Sequence, residues 1–277
     1  MIIEPHIHMY SRTTDDYVAM YKAGIRACVE PSFWMGCNRR YAGTFFDYFN
    51  LILEFETVRA RRFGIDHYCA VSLNPKEAEN TALANEVIDG LATYLDHPRC
   101  VALGEIGFNA ITPNEEKAFA RQLHIAHERK MPVIVHLPHL DKLRGTHRTL
   151  DIVKQEGINP DLVVIDHNTE DTIKLSRDSG CYCGMTVYPI SKLNPERVSA
   201  IIREYGSERM IVNGSDDWGV SDPLSLIKVV ARLRQDGFPE KDVERLTSGN
   251  AMAFYSQSAN WKPDFGISPL DPREFQR

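Results

Sequence analysis

The chain has 277 residues, 43% of them hydrophobic and 25% charged, with a formal charge of -6. These proportions exclude wholesale disorder and argue against capture of nucleic acid by a broad basic surface. No run reaches the roughly 18 apolar residues that span a bilayer. Met1-Ile2-Ile3-Glu4-Pro5-His6 also lacks the basic and apolar regions of a secretion signal, so a cytoplasmic protein is expected.

Short apolar runs alternate with longer amphipathic ones. Taken in chain order, strands are expected over 1–8, 25–30, 66–73, 100–105, 133–136, 162–166, 181–186 and 210–213. Helical patterns lie between them, over 15–23, 45–62, 77–95, 115–129, 148–155, 170–179, 195–204 and 223–234, with a last helix over 240–254. Thr13 and Thr14 supply caps for the first helix and Asn114 is the expected N-cap of the fourth. Gly157, Gly180, Gly206 and Gly237 close later ones. Six cysteines, five of them in β-type apolar runs, form no CxxC motif and are expected to be reduced and buried.

Strict alternation of strand and helix implies a parallel sheet, and eight units close a (β/α)8 TIM barrel, which typically takes about 250 residues. An open doubly wound sheet calls for a Gly-rich turn after the first strand, where His6-Ile7-His8 stands instead. The barrel is assigned to 1–256. From Gln257 the periodicity ends and Pro263, Pro269 and Pro272 interrupt the chain, so 257–277 is expected to be an irregular tail on the surface.

Active sites of such barrels lie at the C-terminal ends of the strands. Here the first strand ends in His6-Ile7-His8, the fourth in Gly104-Glu105-Ile106-Gly107, the fifth in His136, the sixth in Asp166-His167 and the eighth in Asn213-Gly214-Ser215-Asp216-Asp217. Two histidines two residues apart on a strand share a face and can hold one divalent ion. Glu105 can bridge two ions through its two oxygens. His136 and His167, from adjacent strands, can hold the second. Asp216 ends the last strand beside the first, close to His6 and His8, and Asp217 is expected to face the opposite way. Mixed imidazole and carboxylate ligands suit Zn, Mn, Fe or Co better than Ca or Mg.

This order of motifs resembles the TatD-like metal-dependent hydrolases of the amidohydrolase superfamily, from His6 through the closing helix with Ser248-Gly249-Asn250-Ala251-Met252-Ala253-Phe254. The resemblance implies a TIM barrel with two metal sites. His6, His8 and Asp216 would hold one ion, His136 and His167 the other, and Glu105 would bridge. The neighbours of these residues depart from the family pattern. Phe108-Asn109 replaces Leu-Asp, and Leu137-Pro138-His139 follows His136 where Ser-Arg is usual. Asn168-Thr169 follows His167, and Asp217-Trp218 follows Asp216. The chain thus resembles a divergent branch.

The expected function is hydrolysis of an ester, amide or phosphodiester bond, with Glu105 and Asp216 as catalytic residues and Asp216 accepting the proton of the attacking water. His139, Arg39, Arg40 and Trp218 are the expected binding residues for a small-molecule or anionic substrate, and the cationic ones favour an anion such as a phosphate ester or carboxylate. The acidic balance and the missing Arg after His136 make nucleic acid the less favoured partner. A TatD-type 3'-5' deoxyribonuclease and a non-catalytic metal-binding barrel acting as an assembly partner are the alternatives. A PHP-type phosphoesterase is disfavoured, because Asp216 is followed by Asp217-Trp218 rather than x-His. His124, His127, His67 and His97 fall away from the mouth and are read as structural.

Overall fold

A computed structural model describes residues 1–215 and 217–271. Its strands are β1 (Ile2–Glu4), β2 (Ile25–Pro31), β3 (Asp66–Val71), β4 (Cys100–Gly107), β5 (Val133–His136), β6 (Val163–Asp166), β7 (Tyr182–Thr186) and β8 (Met210–Asn213). They pair in parallel, in sequence order. Between β8 and β1 the Ser215 amide donates to the His6 carbonyl (2.8 Å) and the Gly214 amide to the Glu4 carboxylate (3.0 Å). The sheet thereby curls into a nearly closed TIM barrel.

The helices are α1 (Thr14–Lys22), α2 (Ala42–Asn50), α3 (Thr57–Arg62), α4 (Thr81–Leu95), α5 (Pro113–Arg129), α6 (Lys142–Gln155), α7 (Ile173–Asp178), α8 (Pro195–Tyr205), α9 (Ser225–Gln235), α10 (Glu240–Glu244) and α11 (Asn250–Tyr255). Among the described residues no helix is long and apolar enough to cross a membrane. The continuous helix expected over 45–62 is instead interrupted by a π-helical stretch, Leu51–Glu56, and the closing helix by another, Arg245–Gly249. The expected N-cap Asn114 lies inside α5. Thr112 caps it, accepting from the Glu115 amide at 3.1 Å, because Pro113 has no N–H and takes the first helical position. Asn114 instead donates to Glu79.

Side chains alternate across the strands, so each strand feeds two cores. One core draws on all eight strands, with Ile3, Val29, Tyr68, Ala70, Val101, Ile134, Val164, Tyr182 and Ile211 among its members, and fills the barrel. The opposite faces, such as Cys69, Val71, Leu103, Val133 and Ile165, pack under the helices. Five of the six cysteines are buried and none is bridged.

The barrel interior is closed from below by α11. Asn250 satisfies the carbonyls of Ser207 (2.8 Å) and Met210 (2.6 Å) at the start of β8, while Phe254 and Tyr255 enter the core. The Tyr255 hydroxyl reaches the Pro5 carbonyl (2.7 Å), one residue before His6. The segment after α11 is irregular, yet more than surface cover. Trp261 packs at a tilt against Tyr68 and Tyr255 with 6% of its surface exposed. Asn260 donates to the carbonyls of His97 and Cys100, and the Asp264 amide to Asp66 (2.8 Å).

Candidate metal centre

His6, His8 and Glu105 owe their aim to local breaks in regular structure, whereas His136 ends β5 in regular register. β1 ends at Glu4, short of the expected strand, so His6 and His8 stand on the chain just beyond it. At Glu105 the β4–β5 register slips, pairing Gly104 with Ile134 and Ile106 with Val135. Such a bulge leaves one residue unpaired and re-aims its side chain, a device common beside active sites. Gly107 then takes a φ of 125°, and a Cβ there would stand 2.5 Å from the His136 carbonyl oxygen. Behind this turn the Glu115 carboxylate accepts the amides of Asn109, Ala110 and Ile111 and fixes the loop.

His6, His8, Glu105 and His167 are buried, and His136 is half-buried. Their hydrogen bonds settle which ring nitrogen carries the proton. His8 Nδ1 donates to the Pro31 carbonyl (3.2 Å) and His136 Nδ1 to the Phe108 carbonyl (2.7 Å), since a carbonyl can only accept. His6 Nδ1 lies 2.6 Å from Asp166 Oδ2. Burial works against the Asp166 charge, but His6, the His167 amide and Lys192 outweigh it and hold the carboxyl at about 2, so it too only accepts. Thr186 donates its one hydroxyl proton to Asp166 Oδ1 (3.3 Å) and therefore accepts from His167 Nδ1 (2.6 Å).

His6, His8 and His136 are thus fixed with Nδ1–H outward and the Nε2 lone pair inward, and His167 takes the same form when Thr186 donates to Asp166. His6 Nε2 and His8 Nε2 face each other at 3.2 Å. Glu105 Oε1 lies 3.0 Å from His167 Nε2 and 3.6 Å from His6 Nε2. These are acceptors opposed to acceptors, an arrangement that a cation between them makes favourable. His6, His8 and Glu105 form one group able to hold an ion, and Glu105, His136 and His167 another. The outward Nδ1–H bonds are the supports that histidine ligands generally have. Burial depresses His8, His136 and His167, which favours the neutral, ligating form, and it pushes Glu105 up.

The other expected site residues divide. His139 lines the cleft, its ring centroid 5.8 Å from that of His136 and 6.5 Å from that of His167. Trp218 packs on Phe33 and Trp34 at the rim. Arg39 is turned away from the mouth. Its guanidinium is sequestered by Glu77, with Nε–Oε1 at 2.7 Å, and stacks 3.6 Å over the Phe45 ring. Arg40 is exposed beside Met35 and Tyr41 in a separate outer groove. Asp216 lies outside the described residues. Asp217, expected to face away, lines the cleft and accepts from Tyr188 Oη (2.9 Å). Strand alternation does not extend that far, because β8 stops at Asn213 and Ser215 takes a φ of 46°.

Three residues of the site have no counterpart in the sequence expectations. Asp166 holds His6, the His167 amide and the Asn213 side chain at once. Its place beside His167 at a strand end was the available signal. Lys192 Nζ stands 3.3 Å from His167 Nδ1 and 3.4 Å from Ser215 Oγ, and Lys76 also lines the cleft. Both lie in loops without a motif.

A family model described as TatD related DNase matches residues 5–256. The chain is 27% identical over 259 residues to an uncharacterized metal-dependent hydrolase of Methanocaldococcus jannaschii, covering 92% of this chain and 99% of that one. Among solved structures, a TatD-like protein from Archaeoglobus fulgidus matches with a TM-score of 0.74 at 23% identity, over 92% of this chain and 99% of that chain. The phosphotriesterase homology protein from Escherichia coli, complexed with phosphate in its active site, matches with a TM-score of 0.65 at 17% identity, over 92% and 98%. These two likenesses attest the fold. With the family model running from just after β1 through α11, the chain belongs to the TatD family of metal-dependent hydrolases.

Proposed function

We propose that the mouth of the barrel holds two divalent ions, Zn, Mn, Fe or Co, and hydrolyses an ester, amide or phosphodiester bond of a small substrate. The observation that carries this reading is the set of four imidazoles whose Nε2 lone pairs converge on the two sides of Glu105. His6 and His8 would hold one ion, His136 and His167 the other, and Glu105 would bridge. Bound there, divalent ions lower the pKa of a water and polarise the bond to be split.

The chain's own groups do the rest. Asp166, Pro31, Phe108 and Thr186 keep the imidazoles in the ligating tautomer. Asp216, next in sequence to Ser215, completes the site as the acceptor of the water's proton and its donor to the leaving group. Lys192 and Lys76 bring positive charge to the cleft, which encloses about 160 Å³. Five buried, unbridged thiols suit a cytoplasmic setting.

The test is metal analysis followed by a screen. Protein grown with ample metal should carry close to two ions per chain. It should hydrolyse members of a panel of phosphodiesters, phosphomonoesters, lactones and amides, and His6→Ala with His8→Ala should abolish turnover. Wild-type protein without stoichiometric metal would sink the reading. The family's nuclease description favours a second reading, a 3'-5' deoxyribonuclease. Metal-dependent release of nucleotides from single-stranded DNA, faster than cleavage of any small ester, would select it.

A further inference from the structure

The cleft differs in chemistry from one side to the other. On the β5–β7 side stands His139, exposed at the rim. Lys142, the first residue of α6, donates to the His167 carbonyl (2.9 Å), and Lys192 stands 3.3 Å from the His167 ring on the loop after β7. Lys76, on the turn after β3, is the second ammonium group lining the cleft, and Lys142 supports the cleft from behind His167. His139, Lys192 and Lys76 line the same cleft.

On the β2 and β8 side the wall is aromatic. Phe33 stacks on His8 at 4.0 Å between centroids, and Trp218 lies 5.0 Å from Phe33 and 6.1 Å from Trp34. Trp218 is 45% exposed, leaving aromatic surface at the opening. Lys76 Nζ sits 4.4 Å over Trp34 where the two walls meet. Of the carboxylates lining the cleft among the described residues, Glu105 lies on the floor between the walls. Asp217 accepts from Tyr188 Oη and from the Gly219 amide (2.6 Å).

We propose that the cleft selects small amphipathic anions. A carboxylate or phosphate group would sit at His139 between Lys76 and Lys192. A flat apolar group would lie on Phe33, Trp34 and Trp218, with the scissile bond between them above Glu105. The inference rests on the hydrolase reading for the word substrate, but its binding pattern is testable without turnover. Charge-assisted hydrogen bonds fix the anion, and stacking fixes the planar group.

The experiment is calorimetric titration of metal-loaded protein with phenylphosphonate, methylphosphonate and phenylacetate. Phenylphosphonate should bind about tenfold tighter than methylphosphonate, the effect expected of one stacking wall. Lys192→Met and Lys76→Met, each checked for unchanged metal content, should weaken both phosphonates, about tenfold for the nearer Lys192. Trp218→Ala should weaken only the phenyl ligand. Tighter binding of phenylacetate or of phenylphosphonate identifies the anion as carboxylate or phosphate. Equal binding of the phenyl and methyl ligands, or affinities untouched by both lysine substitutions, overturns the proposal. Protein that binds as described yet cleaves nothing in the substrate panel defeats the hydrolytic assignment alone.

Discussion

Replacing Asp166 by Asn changes one atom of the centre and tests whether tautomer control is what makes it bind metal. The carboxylate is 2% exposed and acceptor-only. It takes His6 Nδ1–H at 2.6 Å, the His167 amide at 2.7 Å, and the Asn213 amide group at 3.0 and 3.1 Å on its two oxygens. A carboxamide fits the same space, but its NH2 must replace one oxygen. Toward His6, it sets donor against donor and drives the His6 proton to Nε2, where it blocks the lone pair. Turned the other way, it opposes the His167 amide. In either pose it meets Asn213 Nδ2, another donor. Loss of such a support typically costs 10- to 100-fold in metal affinity, about 1.4 to 2.8 kcal/mol. The assay is chelator competition with metal analysis on wild-type and Asp166→Asn protein, with circular dichroism to confirm folding. A folded variant whose ions bind within about threefold of wild type would refute the reasoning.

Two further outcomes test the scaffold. Glu30 and His67 form a fully buried pair at 2.8 Å, and burial raises the carboxyl to about 8 and lowers the imidazole to about 4. The folded pair therefore keeps one proton up to about pH 8, whereas the unfolded pair loses its last near 6.5. Stability should fall as pH rises from 6.5 to 8, by about 2 kcal/mol. Urea unfolding of the His6→Ala, His8→Ala protein checks this apart from metal binding, and a flat profile contradicts it. Trp261→Ala empties a packed position under the barrel and should cost about 3–5 kcal/mol. In thermal unfolding that is a drop on the order of 10 °C, and a shift within about 2 °C would show that the segment after α11 does not support the core.

The difference between what the sequence displays and what it hides follows from the range of the interactions. The strands and their terminal ligands are legible because a short apolar run followed by an amphipathic helix is a local pattern, and it recurs eight times. They bring His6, Glu105, His136 and His167 to one mouth whatever the loops do. Loop chemistry obeys partners far away in sequence. Arg39 and Arg40 have the composition of an anion site, but Arg39 finds Glu77, 38 residues on, and is spent holding the β2 loop to the turn after β3. Lys192 sits in an unremarkable stretch and reaches His167 only because β6 and β7 are neighbours.

Asp217 shows the limit of the local rule itself: alternation predicts its side chain outward, but the strand has ended and the positive φ at Ser215 turns the chain. Asp166 shows the converse. It is one residue from His167 and so was open to inspection, yet nothing local says that it points at His6, 160 residues away. That contact needs room inside the barrel, and Gly184 on β7 provides it, since a Cβ there would come within 2.3 Å of Asp166 Oδ1. The metal centre is therefore specified twice over. Its ligands are set by strand ends, and their protonation is set by partners on neighbouring strands. Gly184→Ala should consequently weaken metal binding in the same sense as Asp166→Asn while touching no ligand. Chelator competition on that variant would separate the two levels, and unchanged affinity in a folded protein would show that the ligands alone suffice.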